Sequence, residues 1–270
     1  MTIYILFGVI FFISWGFHKD MQFDNKVCIV TGGNAGIGRC IAESFNKEGA
    51  RVYVIDRDID HDTDENIFCF KGDISEKEVL ESFAAWVLSK EEKVDFLINN
   101  ACLMNGGILS GCSYEDFMYV QKVGVAAPYW LTVLFKEHFS KGASIVNISS
   151  SRAFQSQADT ESYTAAKGGI TALTHALAVS LSGIARVNSI APGWIETARF
   201  HKDTEVPEYS EADIMQHPSQ RIGEPEDIAR AAMFLCDEKN SFINGTNLTI
   251  DGGMGRLMVY HNDNGWKMEV

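Results

Sequence analysis

From Lys26 to Thr31 the chain runs KVCIVT, short, apolar and β-branched, and the next seven residues are Gly32-Gly33-Asn34-Ala35-Gly36-Ile37-Gly38. From Arg39 to Glu48 the pattern is that of a helix. A strand, a glycine turn and a helix in this order leave few folds open, because together they form the first unit of a parallel sheet with a helix packed back on it. Glycines in such a turn let the backbone bend sharply. They also let a phosphate group approach the positive helix N-terminus without Cβ clashes. A second apolar strand, Arg51 to Ile55, ends in Asp56, eighteen residues after Gly38. That is near the spacing at which a carboxylate accepts hydrogen bonds from an adenosine ribose. The segment therefore predicts dinucleotide binding, with Gly32, Asn34, Gly36, Ile37 and Gly38 around the pyrophosphate and Asp56 at the ribose. The Asp56 carboxylate repels a 2′-phosphate, which favours NAD over NADP, while Arg57 beside it pulls the other way.

Strand and helix signals then alternate to the end of the chain, as in a doubly wound α/β sheet. Ile67 to Phe70 is a strand, followed by Gly72-Asp73-Ile74, where Asp73 is placed to accept from an adenine amino group. Ser75 is the expected cap of the helix that follows, to Ser89. Val94 to Asn99 is the next strand. Asn99, Asn100 and Ala101 come at its carboxyl end, where ligand-facing groups of a parallel sheet belong. Ala143 to Ser149 delivers Ser150, and Ser162 to Leu181 reads as a helix carrying Tyr163 and Lys167 four residues apart on one face. An ammonium beside a phenol favours the phenolate, which suits a proton donor and acceptor near neutrality. By itself such a pair occurs on many solvated helix faces.

With 270 residues and 46% hydrophobic composition, the chain has enough apolar mass for one large domain. A formal charge of −13 argues against nucleic acid or anionic membranes as partners, since both need clustered Lys and Arg. The six cysteines lack a Cys-x-x-Cys pair, which points to a reducing, cytoplasmic setting with neither disulfides nor a zinc site. Residues 1–20 stand apart, because Ile3 to Phe17 is almost wholly apolar. As a helix that stretch reaches about 22 Å, short of the ~30 Å hydrocarbon layer. A membrane anchor and an upstream extension before a start at Met21 are both open readings. A signal peptide fits less well, lacking a positive leading region.

Thr31-Gly-Gly-Asn-Ala-Gly-Ile-Gly38, Asp73-Ile74, Asn99-Asn100-Ala101, Ser150, Tyr163-x-x-x-Lys167 and Pro192-Gly193 together resemble the short-chain dehydrogenase/reductase family, over residues 21–253. The resemblance implies a single-domain Rossmann fold with seven parallel strands, usually in a homotetramer or homodimer. It implies that Ser150, thirteen residues before Tyr163, orients a substrate, with Ser149 left as a backbone-turn hydroxyl. It also implies that Tyr163 and Lys167 carry proton chemistry and hold the nicotinamide ribose. Cofactor contacts are further implied at Ile74, Asn100, Ala101, Pro192, Gly193, the backbone of Ile195 and the Thr197 hydroxyl. Two positions depart from the family pattern. Cys102 replaces a glycine, and Gly124 stands where the family has an asparagine whose carbonyl holds a water linking the lysine to solvent. Gly124 leaves open a water-filled relay, slowed turnover, or simply a close helix approach. Between Ser151 and Glu161, Arg152, Phe154, Gln155, Gln157 and Asp159 have no readable role. The polar stretch 198–221 reads as a lid or binding element, with His201 and His217 expected to be solvated, and residues 254–270 form a tail. The expected reaction is reversible hydride transfer between NAD(H) and a small secondary alcohol or ketone, with no metal. Two alternatives remain: an NAD-binding protein of weak or no turnover, and an NADP-dependent 3-oxoacyl-thioester reductase.

Overall fold

In the computed structural model, which describes residues 21–59, 64–258 and 260, the KVCIVT run becomes a wholly buried strand, β1 (Val27–Thr31). The apolar 3–17 stretch and tail residues 261–270 lie outside the described residues. Six further strands follow: β2 (Arg51–Asp56), β3 (Ile67–Lys71), β4 (Val94–Asn99), β5 (Phe139–Ile148), β6 (Ala185–Pro192) and β7 (Asn247–Ile250). They form one parallel sheet in the order β3-β2-β1-β4-β5-β6-β7. A parallel neighbour requires a crossover, so helices cover both faces and the central strands are buried and mainly apolar. Alternate residues of β1 show this: Val27 and Ile29 join one core cluster, Cys28 and Val30 the other. The Val27 side is packed by α2 (Lys77–Leu88), α4 (Ala127–Phe135) and α5 (Glu161–Ser180) through Phe83, Leu131, Phe135 and Leu177. The Cys28 side is packed by α1 (Gly36–Lys47) and α7 (Pro225–Cys236) through Ile41, Phe45, Ile228 and Leu235. Strand order reverses between β1 and β4, and a crevice opens there at the carboxyl ends. Among the described residues, no helix is long and apolar enough to cross a membrane.

One local expectation fails. Ser75 does not cap α2, which begins at Lys77 with Glu76 preceding it and no side-chain cap. Asp73 Oδ1 accepts the Ser75 amide at 2.9 Å, turning the chain early, and Ser75 Oγ bonds Glu76 instead.

The helix opposite the crevice is interrupted. α3 (Tyr114–Gln121), capped by Ser113 Oγ at the Asp116 amide, runs through a π turn at Lys122–Ala126 into α4. Pro128 has no N–H for the Gly124 carbonyl, its partner in a regular α-helix, so the turn widens there. Gly124 lies in the π turn against α5. A Cβ on it would sit 2.9 Å from Ala166 Cβ and 3.4 Å from Cys102 Sγ. Of the readings open at this position, close helix approach is therefore met. Gly168, on the same α5, has nothing within 4 Å of its own Cβ position.

The two glycines should respond oppositely to alanine in denaturant unfolding. At Gly124 overpacking of about 1–3 kcal/mol exceeds the about 0.5–1 kcal/mol regained by removing a helical glycine, so Gly124→Ala lowers stability by about 1–2 kcal/mol. Gly168→Ala raises it by about 0.5–1 kcal/mol.

Candidate active site

A cleft of about 630 Å³ occupies the crevice, lined by the carboxyl ends of β1 to β6 and the segments that follow them. At its centre, Thr31 Oγ1 accepts the amides of Asn100 and Ala101, each at 3.1 Å. Asn100 Nδ2 donates back to the carbonyls of Thr31, at 3.1 Å, and Gly32, at 3.0 Å. Gly32 takes the left-handed backbone, φ +66°, that starts the turn. The helix α1 then opens with neither a side-chain cap nor a carboxylate in its first turn, leaving its positive end to the cleft. Gly32, Gly36, Ile37, Asn100 and Ala101 line the cleft; Asn34 and Gly38 do not. Asn34 meets it through Asp56, whose Oδ2 accepts the Asn34 amide at 3.0 Å.

At the β2–β3 edge, Asp56, Arg57, Asp73 and Ile74 all line the wall, joined there by Tyr119. Arg57 Nη1 donates to the Tyr119 hydroxyl at 3.2 Å, and that hydroxyl donates to Asp73 Oδ2 at 2.6 Å. Burial opposes ionisation of Asp73, but the bonds from Tyr119 and Ser75 and the Arg57 charge outweigh it and hold the carboxyl below its ordinary value. Burial, then the Asp73 carboxylate, pushes the Tyr119 phenol up.

Ser150, 8% exposed two residues beyond β5, also lines the cleft, with Tyr163 and Lys167 of α5. Lys167, 4% exposed, donates from Nζ to the Ile148 carbonyl at 2.7 Å and sits 5.3 Å from the centre of the Tyr163 ring. Ser150 Oγ accepts the Arg152 amide at 3.2 Å. Ser149 does not serve as a turn hydroxyl: its Oγ reaches α5, 3.1 Å from the Lys167 carbonyl and 2.6 Å from Thr171 Oγ1, tying the strand end to that helix. Asn99, expected to face a ligand beside Asn100, is 3% exposed and turned into the interior. It donates to Asn147 Oδ1 at 2.8 Å, and Asn147 donates to Thr174 Oγ1 at 2.9 Å. Strand alternation is the reason, since neighbouring residues point to opposite faces.

Pro192, Gly193, Ile195 and Thr197 complete the lining. The segment is pinned by Gly193 N to the Ile250 carbonyl and by an Ile195–Gly223 bridge. Beyond it, the 198–221 stretch holds only a turn at Ala198–Phe200 and a short helix, α6 (Glu211–Met215). Its two histidines part company. His201 remains exposed but reaches the cleft, with Nε2 3.3 Å from Thr197 Oγ1 and 3.4 Å from where a Gly36 Cβ would lie. His217 is not solvated: at 1% exposure it packs on Trp194, ring centres 6.0 Å apart, where Gly252 leaves room for it. Tyr119 and His201 are polar cleft residues that sequence reasoning missed, along with apolar lining such as Leu103 and Val123. For His201 the four-residue spacing from Thr197 was the only available signal.

A family model described as enoyl-(acyl carrier protein) reductase matches residues 32–255. An uncharacterized oxidoreductase of Thermotoga maritima is 39% identical over 252 residues, 88% of this chain and 98% of that protein. The 7alpha-hydroxysteroid dehydrogenase of Escherichia coli is 34% identical, with 88% and 97% covered. Among solved structures, an apo SCOR enzyme from Clostridium thermocellum is 41% identical with a TM-score of 0.81, covering 91% of this chain and 99% of that one. With this likeness over nearly its whole length, on the sheet and crevice described above, the chain belongs to the short-chain dehydrogenase/reductase family, oxidoreductases that act on CH–OH groups with NAD(P).

Proposed function

We propose that the protein moves a hydride reversibly between NAD(H) and a secondary alcohol or ketone. The observation that supports this reading is that Ser150, Tyr163 and Lys167 line the same cleft as the glycine turn, with Lys167 Nζ 5.3 Å from the Tyr163 ring centre. The cleft suits a dinucleotide: an uncapped helix start faces it, and the carboxylates of Asp56 and Asp73 stand at its far edge. When bound, the dinucleotide supplies or takes up the hydride. The chain's own residues handle the oxygen. Because the Ser150 hydroxyl accepts from the Arg152 amide, its proton is free to be donated to a substrate carbonyl. Tyr163 gives or takes the hydroxyl proton. Lys167 spends one of its three donors on the Ile148 carbonyl, leaving two for the ribose and the phenol, and its charge stabilises negative charge forming on the phenol oxygen.

NAD is favoured over NADP by Asp56, held toward the cleft edge by the Asn34 amide. Arg57, the one residue there suited to a 2′-phosphate, is already engaged by Tyr119 and the Asp73 charge behind it. Exposed apolar side chains on the outer helices, Tyr129 of α4 and Val179 of α5, are the faces we assign to a homodimer or homotetramer.

In a screen of alcohols and ketones, the purified protein should consume or form NADH, and Tyr163→Phe should cut turnover by about 100- to 10,000-fold while cofactor affinity is kept. Full activity in that variant removes Tyr163 from the reaction. NADH bound normally, with no turnover across the panel, favours instead a nucleotide-binding protein in which Gly124 has stalled the chemistry. In titrations NADH should bind about ten- to a hundredfold more tightly than NADPH, and Asp56→Ser should narrow that gap. Equal affinities in the wild type would overturn the cofactor assignment.

A further inference from the structure

We propose that Arg152 recognises a carboxylate on the substrate, so that the alcohol or ketone is a hydroxy or oxo acid; this rests on the reading of Ser150, Tyr163 and Lys167 given above. Arg152 follows Ser150 by two residues in the turn of helix at Ser151–Ala153, and its backbone amide is the group that bonds Ser150 Oγ. Its guanidinium carbon lies 5.9 Å from the centre of the Tyr163 ring. A cation therefore stands beside both residues that would face the reacting oxygen, next to the cleft wall they line rather than in it.

What holds this guanidinium is neutral. Its polar partners are the side-chain carbonyl of Gln157 and Met104 Sδ, the latter at 3.7 Å. Arg39, Arg51, Arg199, Arg221 and Arg230 each have a carboxylate within salt-bridge distance, whereas Arg152, like Arg57 on Tyr119 and Arg186 on backbone carbonyls, is held by neutral groups. With 36 acidic residues against 23 basic ones, carboxylates are plentiful. An amide partner holds the planar fork without neutralising it, which leaves the cation's charge and its remaining N–H donors available to a carboxylate. The need for such a group is also electrostatic. An anionic substrate entering a protein of net charge −13 is repelled overall and requires a local cation to be held. Lys167 does not serve, being buried behind Tyr163 with Nζ on the Ile148 carbonyl.

A competing role is that Arg152 only steadies the Tyr163 ring by cation–π contact. The two roles separate by ligand. In Tyr163→Phe protein saturated with NADH, calorimetry should show pyruvate, acetoacetate or levulinate binding about ten- to a hundredfold more tightly than its methyl ester. Arg152→Gln in the same background should bring the acid down to the level of its ester, and Arg152→Lys, keeping the charge but losing the fork, should fall between. Unchanged NADH affinity and melting temperature show that these variants are folded. The proposal is overturned if no acid binds, if acids and esters bind alike, if the preference survives Arg152→Gln, or if that change weakens acids and esters equally. Wild-type turnover of neutral ketones but not of acids would remove the carboxylate while leaving the hydride-transfer reading in place. Loss of all cofactor-dependent turnover with acid binding intact would do the reverse.

Discussion

The hydrogen bonds joining Thr31 and Gly32 of one strand end to Asn100 and Ala101 of the next fix the geometry on which the cleft depends. β1 and β4 are ladder partners only as far as Thr31 and Asn99. Past that pair their chains leave toward helices on opposite faces, and no further ladder bond governs how wide the gap becomes. Asn100 closes it with side-chain donors, so the spacing of the crevice is set by one residue's amide geometry. The same bonds dictate Gly38, since a Cβ there would lie 2.1 Å from the Gly32 carbonyl and 2.4 Å from Asn100 Nδ2. Gly38 is thus required by packing.

The α5 side of the cleft is rigid for a different reason. α5 is fastened to the sheet by the buried Asn99, Asn147 and Thr174 chain, by Lys167 on the Ile148 carbonyl and by Ser149 against Thr171. Paired buried polar groups of this kind allow few alternative packings. The helix that presents Tyr163 therefore has little freedom to slide, which is what a proton donor working over a fixed distance needs.

Much of this was readable in the chain because the information is local. A strand, glycine turn and helix, an acid at the end of β2, and Tyr163 four residues before Lys167 are patterns that fit inside a short window, and the family resemblance singles out Ser150 by its distance to Tyr163. What the sequence hid is set by contacts between distant segments. Tyr119 meets Asp73 across 46 residues, and His201 reaches the glycine turn only because the chain folds back after β6. His217 looked polar and loop-like, yet Trp194 and Gly252 enclose it. Asn99 and Asn100 are adjacent and chemically identical, and only the pleat of the strand assigns one to the interior and one to the cleft. Ser75 misled because a competing acceptor, Asp73, took its amide first.

The tight seating of Gly124 on Ala166 also constrains the order in which this sequence can change. An asparagine at 124, the residue that the family resemblance places there, has no room while Ala166 Cβ occupies the facing position. A lineage that restored it in one step would carry a displaced α5 until a second change made space. Ala166→Gly would have to come first or arrive together with it, and that step itself weakens the helix bearing Tyr163 and Lys167. Exchanging Gly124 for asparagine is therefore costly unless Ala166 changes with it.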